Sequence, residues 1–447
     1  MSSSKMLSIV QHARTSFFGQ TSNEQKAPHI QDHVTGLRGV LVIQSLFWIY
    51  LQTFAPAMVY PSSAYQTNGA TWQYALRDIF CAPLWNTSLI YTWFIILSAR
   101  TVCIPFLSNP CGTTFAGSLM RRNIRVGLSI SVATAISILV FTQIENGYFE
   151  TFNSILHNPA VTAPAKPQKP HAGFLSIYEL LWVTRNWYQQ AANTFWPSST
   201  MWAPSLIYFQ SYTVYIAMVI LPFTRPFWHL QGCIAFAIGS YWLESWGWYS
   251  ITGLMIADVA INPVLRDELR KGIKITENLR LPYYIPAVAF VILGFVQKYL
   301  WIAAFPSQLN RELILHPTIW TGDGLSLSDF SSQPYARLDD WMVVVGTMVL
   351  IELFQPLQKA LSISPLTYLG RRSLSEFFSC LISQHTANSY LPRHFYCAEL
   401  DCLHGRHQDV YQPSTDARSI DLGRWCGRLL FLHPIVVDLC RDLSHAC

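Results

Sequence analysis

The sequence predicts an all-α fold, a polytopic membrane helical bundle of about 8–10 transmembrane helices. Three observations predict it. Of the 447 residues, 51% are hydrophobic and only 12% are charged, whereas a soluble domain carries about 25% charged residues. Apolar runs long enough to cross about 30 Å of hydrocarbon recur along the chain. Basic clusters stand in alternate connections between those runs. The net charge of +5 is small for this length, and no basic stripe of the kind that tracks a phosphate backbone is present. Nucleic acid is therefore not an expected partner.

Residues 1–32 form a polar tail rich in Ser, Gln, Lys and His with no hydrophobic signal-peptide core. The first helix is then expected to act as a signal anchor. Spans are expected at about 39–60, 88–107, 124–143, 203–222, 229–248, 249–263, 283–304 and 338–356, with a weaker one at 369–386. The sixth is short, and the aromatic corner "SWGWYS" splits it from the fifth. "HNPAVTAPAKPQKPHAG" (157–173) reads as a loop by composition. Residues 387–447 hold charges, Cys and His at loop density and no run of 18 apolar residues, so they read as an atypical C-terminal tail or as sequence in a shifted frame.

Loop charges set the expected orientation. "MRRNIR" (120–125), "RDELRKGIKITENLR" (266–280) and Lys359, Arg371 and Arg372 fall on one side if the helices alternate, and that side should be cytosolic together with the N-terminus. The endoplasmic reticulum is the expected membrane. A glycosylation sequon, Asn86-Thr87-Ser88, falls on the lumenal side, close against the second span. The ten cysteines contain no CxxC pair, and the patch Cys397, Cys402, His404 and His407 fits no common zinc spacing, so no metal is expected.

Several motifs, in order, resemble the acyltransferase-3 family of polytopic membrane acyltransferases. "TGLRG" (35–39) is similar to that family's opening "DGLRG", with Thr35 in place of Asp. "MWAPSLIYFQSYTVYIAMVILPF" (201–223), "GLMIAD" (253–258) and "WMVVVGTMVLIELFQPLQKALSISPLTYLGRRSLS" (341–375) resemble its later segments, so the likeness covers most of 33–375 and implies one transmembrane domain over 33–386. The departures matter as much. The family's catalytic His should lie near Trp48–Leu51, where this chain has Trp-Ile-Tyr-Leu, and the acidic residue of its fourth-helix motif falls at Ile207. Acyl transfer to a hydroxyl needs a base within hydrogen-bond reach. The "LRG…QS…W…LQTFAP" stretch is more similar to fungal meroterpenoid membrane-bound terpene cyclases on that scaffold.

Ionisable residues inside apolar runs are costly, so each is a functional candidate. Glu244 lies among Tyr241, Trp242, Trp246, Trp248 and Tyr249. A carboxyl buried among aromatic rings favours its protonated form and can act as a general acid, while the ring faces stabilise a cation. The alternative is an interfacial aromatic belt with a Glu at its edge. Asp258 reads as a second acid, a partner for Arg38 or a helix-end residue, and Glu352 as an acid or half of a structural ion pair. Arg38 reads as an anchor at the cytosolic face, or as the contact to an anionic acyl donor that the resemblance implies. Glu145 and Glu150 beside Tyr148 read as loop carboxylates, and His229 beside Arg225 as interfacial.

Two activities are therefore expected as alternatives. One is a terpene cyclase that protonates an olefin or epoxide of a membrane-dissolved farnesyl chain without cofactor, with Glu244, Asp258 and Glu352 as catalytic candidates. Its substrate-binding candidates are Arg38, Tyr241, Trp242, Trp246 and Trp248. The other is an O-acyltransferase that draws on acetyl-CoA or another acyl-CoA and modifies a lipophilic metabolite or sugar. A transporter or an inactive family member is a third reading, but no inverted repeat and no pair of Gly/Pro-broken helices mark matching halves. The partners common to both enzymes are a lipophilic small molecule and the bilayer.

Overall fold

The computed structural model describes residues 31–60, 69–142, 175, 177–178, 181, 202–224, 226–274, 280–305, 312 and 335–373. It is mostly helical. In chain order the helices are α1 (Asp32–Phe54), α2 (Thr71–Phe80), α3 (Thr87–Ser108), α4 (Gly112–Thr142), α5 (Trp202–Ile220), α6 (Pro226–Trp242) and α7 (Gly247–Ile261). They continue with α8 (Pro263–Arg270), α9 (Tyr284–Tyr299), α10 (Leu338–Leu353), α11 (Gln355–Leu361) and α12 (Ser364–Arg371). The strands among the described residues are β1 (Ile273–Lys274) and β2 (Arg280–Leu281), an antiparallel pair inside the basic connection after α8.

Four stretches are long and apolar enough to cross a membrane: 32–52, 71–108, 203–220 and 284–304; a fifth is α10 with α11, if that pair, bent by 99°, counts as one span. These match five of the expected segments. The third, fifth and sixth exist as α4, α6 and α7. However, α4 carries Arg121, Arg122 and Arg125 in its first half, and α6 and α7 run only 17 and 15 residues. Residues of the expected 369–386 segment beyond 373, the 157–173 loop, Glu145, Glu150 and the Cys397–His407 patch lie outside the described residues.

The first span starts at Asp32 rather than near 39, with the acidic residue at the helix N-terminus, where the dipole favours it. Its two glutamines have structural partners. Between α2 and α3 the chain makes one wide turn, Cys81–Trp85, around Pro83. The side-chain amide of Gln44 donates to the Pro83 carbonyl at 3.1 Å, and that of Gln52 donates to the Tyr60 hydroxyl at 2.7 Å. Proline has no N–H to return to the carbonyl four residues back, and the Tyr299 hydroxyl donates to that carbonyl, Ile79, at 2.7 Å instead. Asn86 of the sequon caps α3, accepting from the Leu89 amide at 3.1 Å.

The glycines of "TGLRG" have a packing role. A Cβ at Gly36 would run into the backbone carbonyl of Leu361, one at Gly39 into that of Leu366, and one at Gly370 into that of Thr35. The motif at the start of α1 and "LGR" at the end of α12 are thus two faces of one seam, close enough to require bare backbone on both sides. The sharp bend after α10 is finished in the same region. The amide of Gln358 donates to the last-turn carbonyls of Ile351 and Glu352, both at 2.9 Å, which α10 leaves without helical partners.

Gly36→Ala is expected to destabilise the protein by about 1–3 kcal/mol through overpacking. Gly239→Ala in α6, where an added Cβ meets nothing within 4 Å, is expected to be neutral or to stabilise by up to about 1 kcal/mol through helix propensity. Denaturant midpoints of the two variants beside the parent chain check the pair.

Candidate functional site

The antiparallel helices bring charged side chains together at two opposite ends of the bundle. One end gathers the start of α1, the last turns of α3, the first turns of α4 and the last turn of α10. The guanidinium of Arg100, fully buried, pairs with Glu352 and also donates to Gln31 Oε1. His33 Nε2 lies 3.8 Å from the other Glu352 oxygen. Arg38 donates to Thr101 Oγ1 at 2.7 Å, and Arg122 donates to Ser98 Oγ and to the Ile207 carbonyl at 3.3 Å. The charges of Arg122, Arg100 and Arg125 all act on Arg38. Four arginines thus gather at this end, and Glu352 pairs with one of them, Arg100. Arg100 Nε and Nη1 and Arg122 Nε are buried without a hydrogen-bond partner among the described residues. Such a cluster suits an anion with several oxygens, the ligand that fork-shaped guanidinium donors fit best.

The other end gathers the α6–α7 turn, the end of α9, the residues 335–337 and the start of α10. Lys298, buried in α9, pairs with Asp340 and lies 3.8 Å from Asp339. Arg337 bonds Asp339 through Nε and Nη2 at 3.1 and 3.2 Å and donates to the Tyr335 hydroxyl at 2.8 Å. The Tyr249 hydroxyl donates to the Arg337 carbonyl at 2.6 Å and lies 2.8 Å from the Arg337 amide. Glu312 accepts the Leu338 amide at 2.8 Å through Oε1. Its charge, with those of Glu244, Arg337 and Asp339, acts on Tyr335. Burial pushes the Glu312 carboxyl up to about 7, against the opposing pull of Arg337. Burial likewise raises the Tyr335 hydroxyl. Four carboxyls here meet two cations, so this end has an excess of acid.

Glu244 sits in the tight turn between α6 and α7 with φ of 54°, the one non-glycine residue with positive φ among those described. L-residues adopt that conformation at a cost, and such outliers cluster at functional sites. Both of its carboxyl oxygens are shielded from solvent. Beside it Tyr241 meets Trp248 edge-on at 5.1 Å, Trp246 meets Tyr249 at 5.5 Å, and Trp248 continues to Trp341 at 5.4 Å. Trp246 and Trp248 are buried and Tyr241 half-buried, but Trp242 is 57% exposed on the outside of α6 and takes no part in the cluster.

The structure separates the remaining expectations. Glu352 is the carboxylate of an ion pair with Arg100 at the opposite end from Glu244, so the three acids do not converge. Asp258, half-buried near the end of α7, interacts with His229 and Cys233. Arg38 donates to Thr101 rather than to Asp258, which belongs to the side of α7 that meets α6. His229 Nε2 lies 3.1 Å from the Thr224 carbonyl at the start of α6. Sequence reasoning missed His33, Arg100, Arg122, Lys298, Glu312, Arg337, Asp339 and Asp340. Arg100 and Lys298 both stand inside apolar runs, the same signal that singled out Glu352.

Among the described residues no group of three or more His, Cys, Asp or Glu is placed to hold a metal ion. No protein-family model matches the chain, no curated protein matches it and no solved structure matches it.

Glu352→Gln, which leaves the buried Arg100 charge without its carboxylate, is expected to cost about 3–5 kcal/mol, while the double replacement of Arg100 and Glu352 by Met is expected to lie within about 1–2 kcal/mol of the parent. Denaturant titration of the three proteins checks the pairing, and equal losses in the single and double variants would contradict it.

Proposed function

We propose that this chain is a multi-pass membrane enzyme that cyclises a farnesyl-type chain by protonating an olefin or epoxide, with Glu244 as the acid. The observation that carries the reading is the position of Glu244: a left-handed turn holds it, its oxygens are shielded from water, and the buried Trp246 and Trp248 follow it in the chain. Acid-initiated cyclisation needs a proton delivered where water is excluded and ring faces to accompany the cation that forms. The aromatic chain from Tyr241 through Trp248 to Trp341 supplies those faces, and the bond changes need neither metal nor acyl donor. The apolar lengths of α1, α3, α5 and α9 support a bilayer setting. The concentration of Arg38, Arg100, Arg122 and Arg125 at one end supports a cytosolic N-terminus, because positive charge favours the cytosolic side. The endoplasmic reticulum is the membrane proposed.

A specific observation supports acyl transfer as a second reading. His33 beside Glu352 offers a base in the helix that lacks the family's own histidine, and the arginine cluster around it suits the phosphates of an acyl-CoA. In that reading a hydroxyl substrate approaches the His33 end, and the Glu244 end is structural.

Feeding a farnesylated phenol or its epoxide to cells that express the full chain separates the two. Cyclisation leaves the product mass unchanged, whereas acyl transfer adds an acyl unit. For the cyclase, Glu244→Gln is expected to abolish product with protein level intact, and full turnover in that variant sinks the assignment. For the acyltransferase, consumption of acetyl-CoA is expected to fall at least tenfold in Arg38→Ala.

A further inference from the structure

We propose that the groove between α1 and α4 at the arginine end binds the phosphate headgroup of an anionic phospholipid. The inference rests on the bilayer setting proposed above and not on the cyclisation chemistry. Ser98 and Thr101 stand three residues apart on α3, so they share one face and lie about 4.5 Å apart along its axis. Arg38 reaches Thr101 from α1, with 2.7 Å between Nη2 and Oγ1, and Arg122 reaches Ser98 from α4. Both α1 and α4 pack against α3, yet they scarcely meet each other. The two guanidiniums therefore stand about one turn apart over a common floor, one from each wall of a groove. Arg122 also donates to the Ile207 carbonyl of α5 at 3.3 Å, which ties it to a fourth helix.

Charge decides what such a groove takes. The acceptors that hold Arg38 and Arg122 are two hydroxyls and a carbonyl, all neutral, and Glu352 is paired with Arg100. Among the described residues neither Arg38 nor Arg122 has a carboxylate partner, and Arg122 Nε is buried without a hydrogen-bond partner. Two guanidiniums held close by neutral groups repel each other, so an anion between them is stabilising. Their forked N–H donors match phosphate oxygens two at a time. Arg125, exposed and three residues beyond Arg122, adds a further cation on the next turn of α4. Exposed apolar side chains flank the arginines in sequence on both helices: Met120 and Ile124 on either side of Arg122, Val40 and Ile43 after Arg38. A phospholipid satisfies both features, its phosphate among the arginines and its acyl chains along the apolar side chains. A free phosphate satisfies only the first.

The test adds single lipids to the full-length protein in a neutral detergent and follows the melting temperature, with native mass spectrometry to count retained lipid. Dioleoyl phosphatidic acid and dioleoyl phosphatidylserine are expected to raise the melting temperature and stay bound, and dioleoyl phosphatidylcholine to do neither. Arg38→Gln and Arg122→Gln are each expected to weaken the acidic lipid's binding at least about tenfold, the worth of one hydrogen bond to a charged group. Arg122→Lys keeps the charge without the fork and is expected to fall between that variant and the parent, a readout that loss of folding alone does not produce. Arg270→Gln, at an exposed basic residue of α8, is expected to bind like the parent. Equal retention of phosphatidylcholine, or parent-like binding in both glutamine variants, overturns the proposal. So does an equal rise with inorganic phosphate, which makes this a site for a free anion, or with coenzyme A, which gives the arginines to an acyl donor. Release of the chain from membranes by alkaline carbonate refutes the bilayer setting itself, whereas a retained chain with no preference for acidic lipid refutes this proposal alone.

Discussion

The structure depends on one constraint: charge inside an apolar bundle must be neutralised across helices. Lys298 in α9 is paired with Asp340 of α10, and Arg100 in α3 with Glu352 at the far end of the same α10. Such pairs add little net stability relative to a hydrophobic filling, yet each is costly to break once buried. They act as pins of register. A slip of α10 by one turn against α9 moves Asp340 about 5.4 Å from Lys298, and the same slip moves Glu352 away from Arg100.

Packing tightens what the pins align. Gly294 and Gly346 let α9 and α10 close on each other's backbone, and the Gly36–Gly39–Gly370 seam does the same for α1 and α12. Unpaired backbone groups are absorbed locally. The Ile79 carbonyl freed by Pro83 receives Tyr299, and the carbonyls at the end of α10 receive Gln358. The first repair joins elements distant in sequence, and the second closes the bend between α10 and α11.

Much of this was legible in the sequence where the signal is local. The apolar run of α1, the aromatic corner before α7 and the isolated Glu244 stood out by composition alone. The partner of Gln44, Pro83, lies in the turn between α2 and α3, and that of Gln52, Tyr60, lies between α1 and α2. Lys298 and Asp340 lie 42 residues apart, and neither residue names the other. "RLDD" (337–340) is charged in sequence, and only the fold shows Asp339 and Asp340 buried and turned on two cations. His33 stands in the first turn of α1, before its apolar run, where a histidine carries no signal of burial. Trp242 was over-read, since a period of 3.6 residues sets it on the outer side of α6 while Tyr241 faces inward.

Asp340 and Glu352 belong to the same short helix, twelve residues and about 18 Å apart, and each is fastened to a different neighbour. The helix therefore behaves as a rigid strut between the arginine end and the acid end. Breaking one fastening leaves α10 held by the other alone. Two chemically opposite sites are mechanically in series.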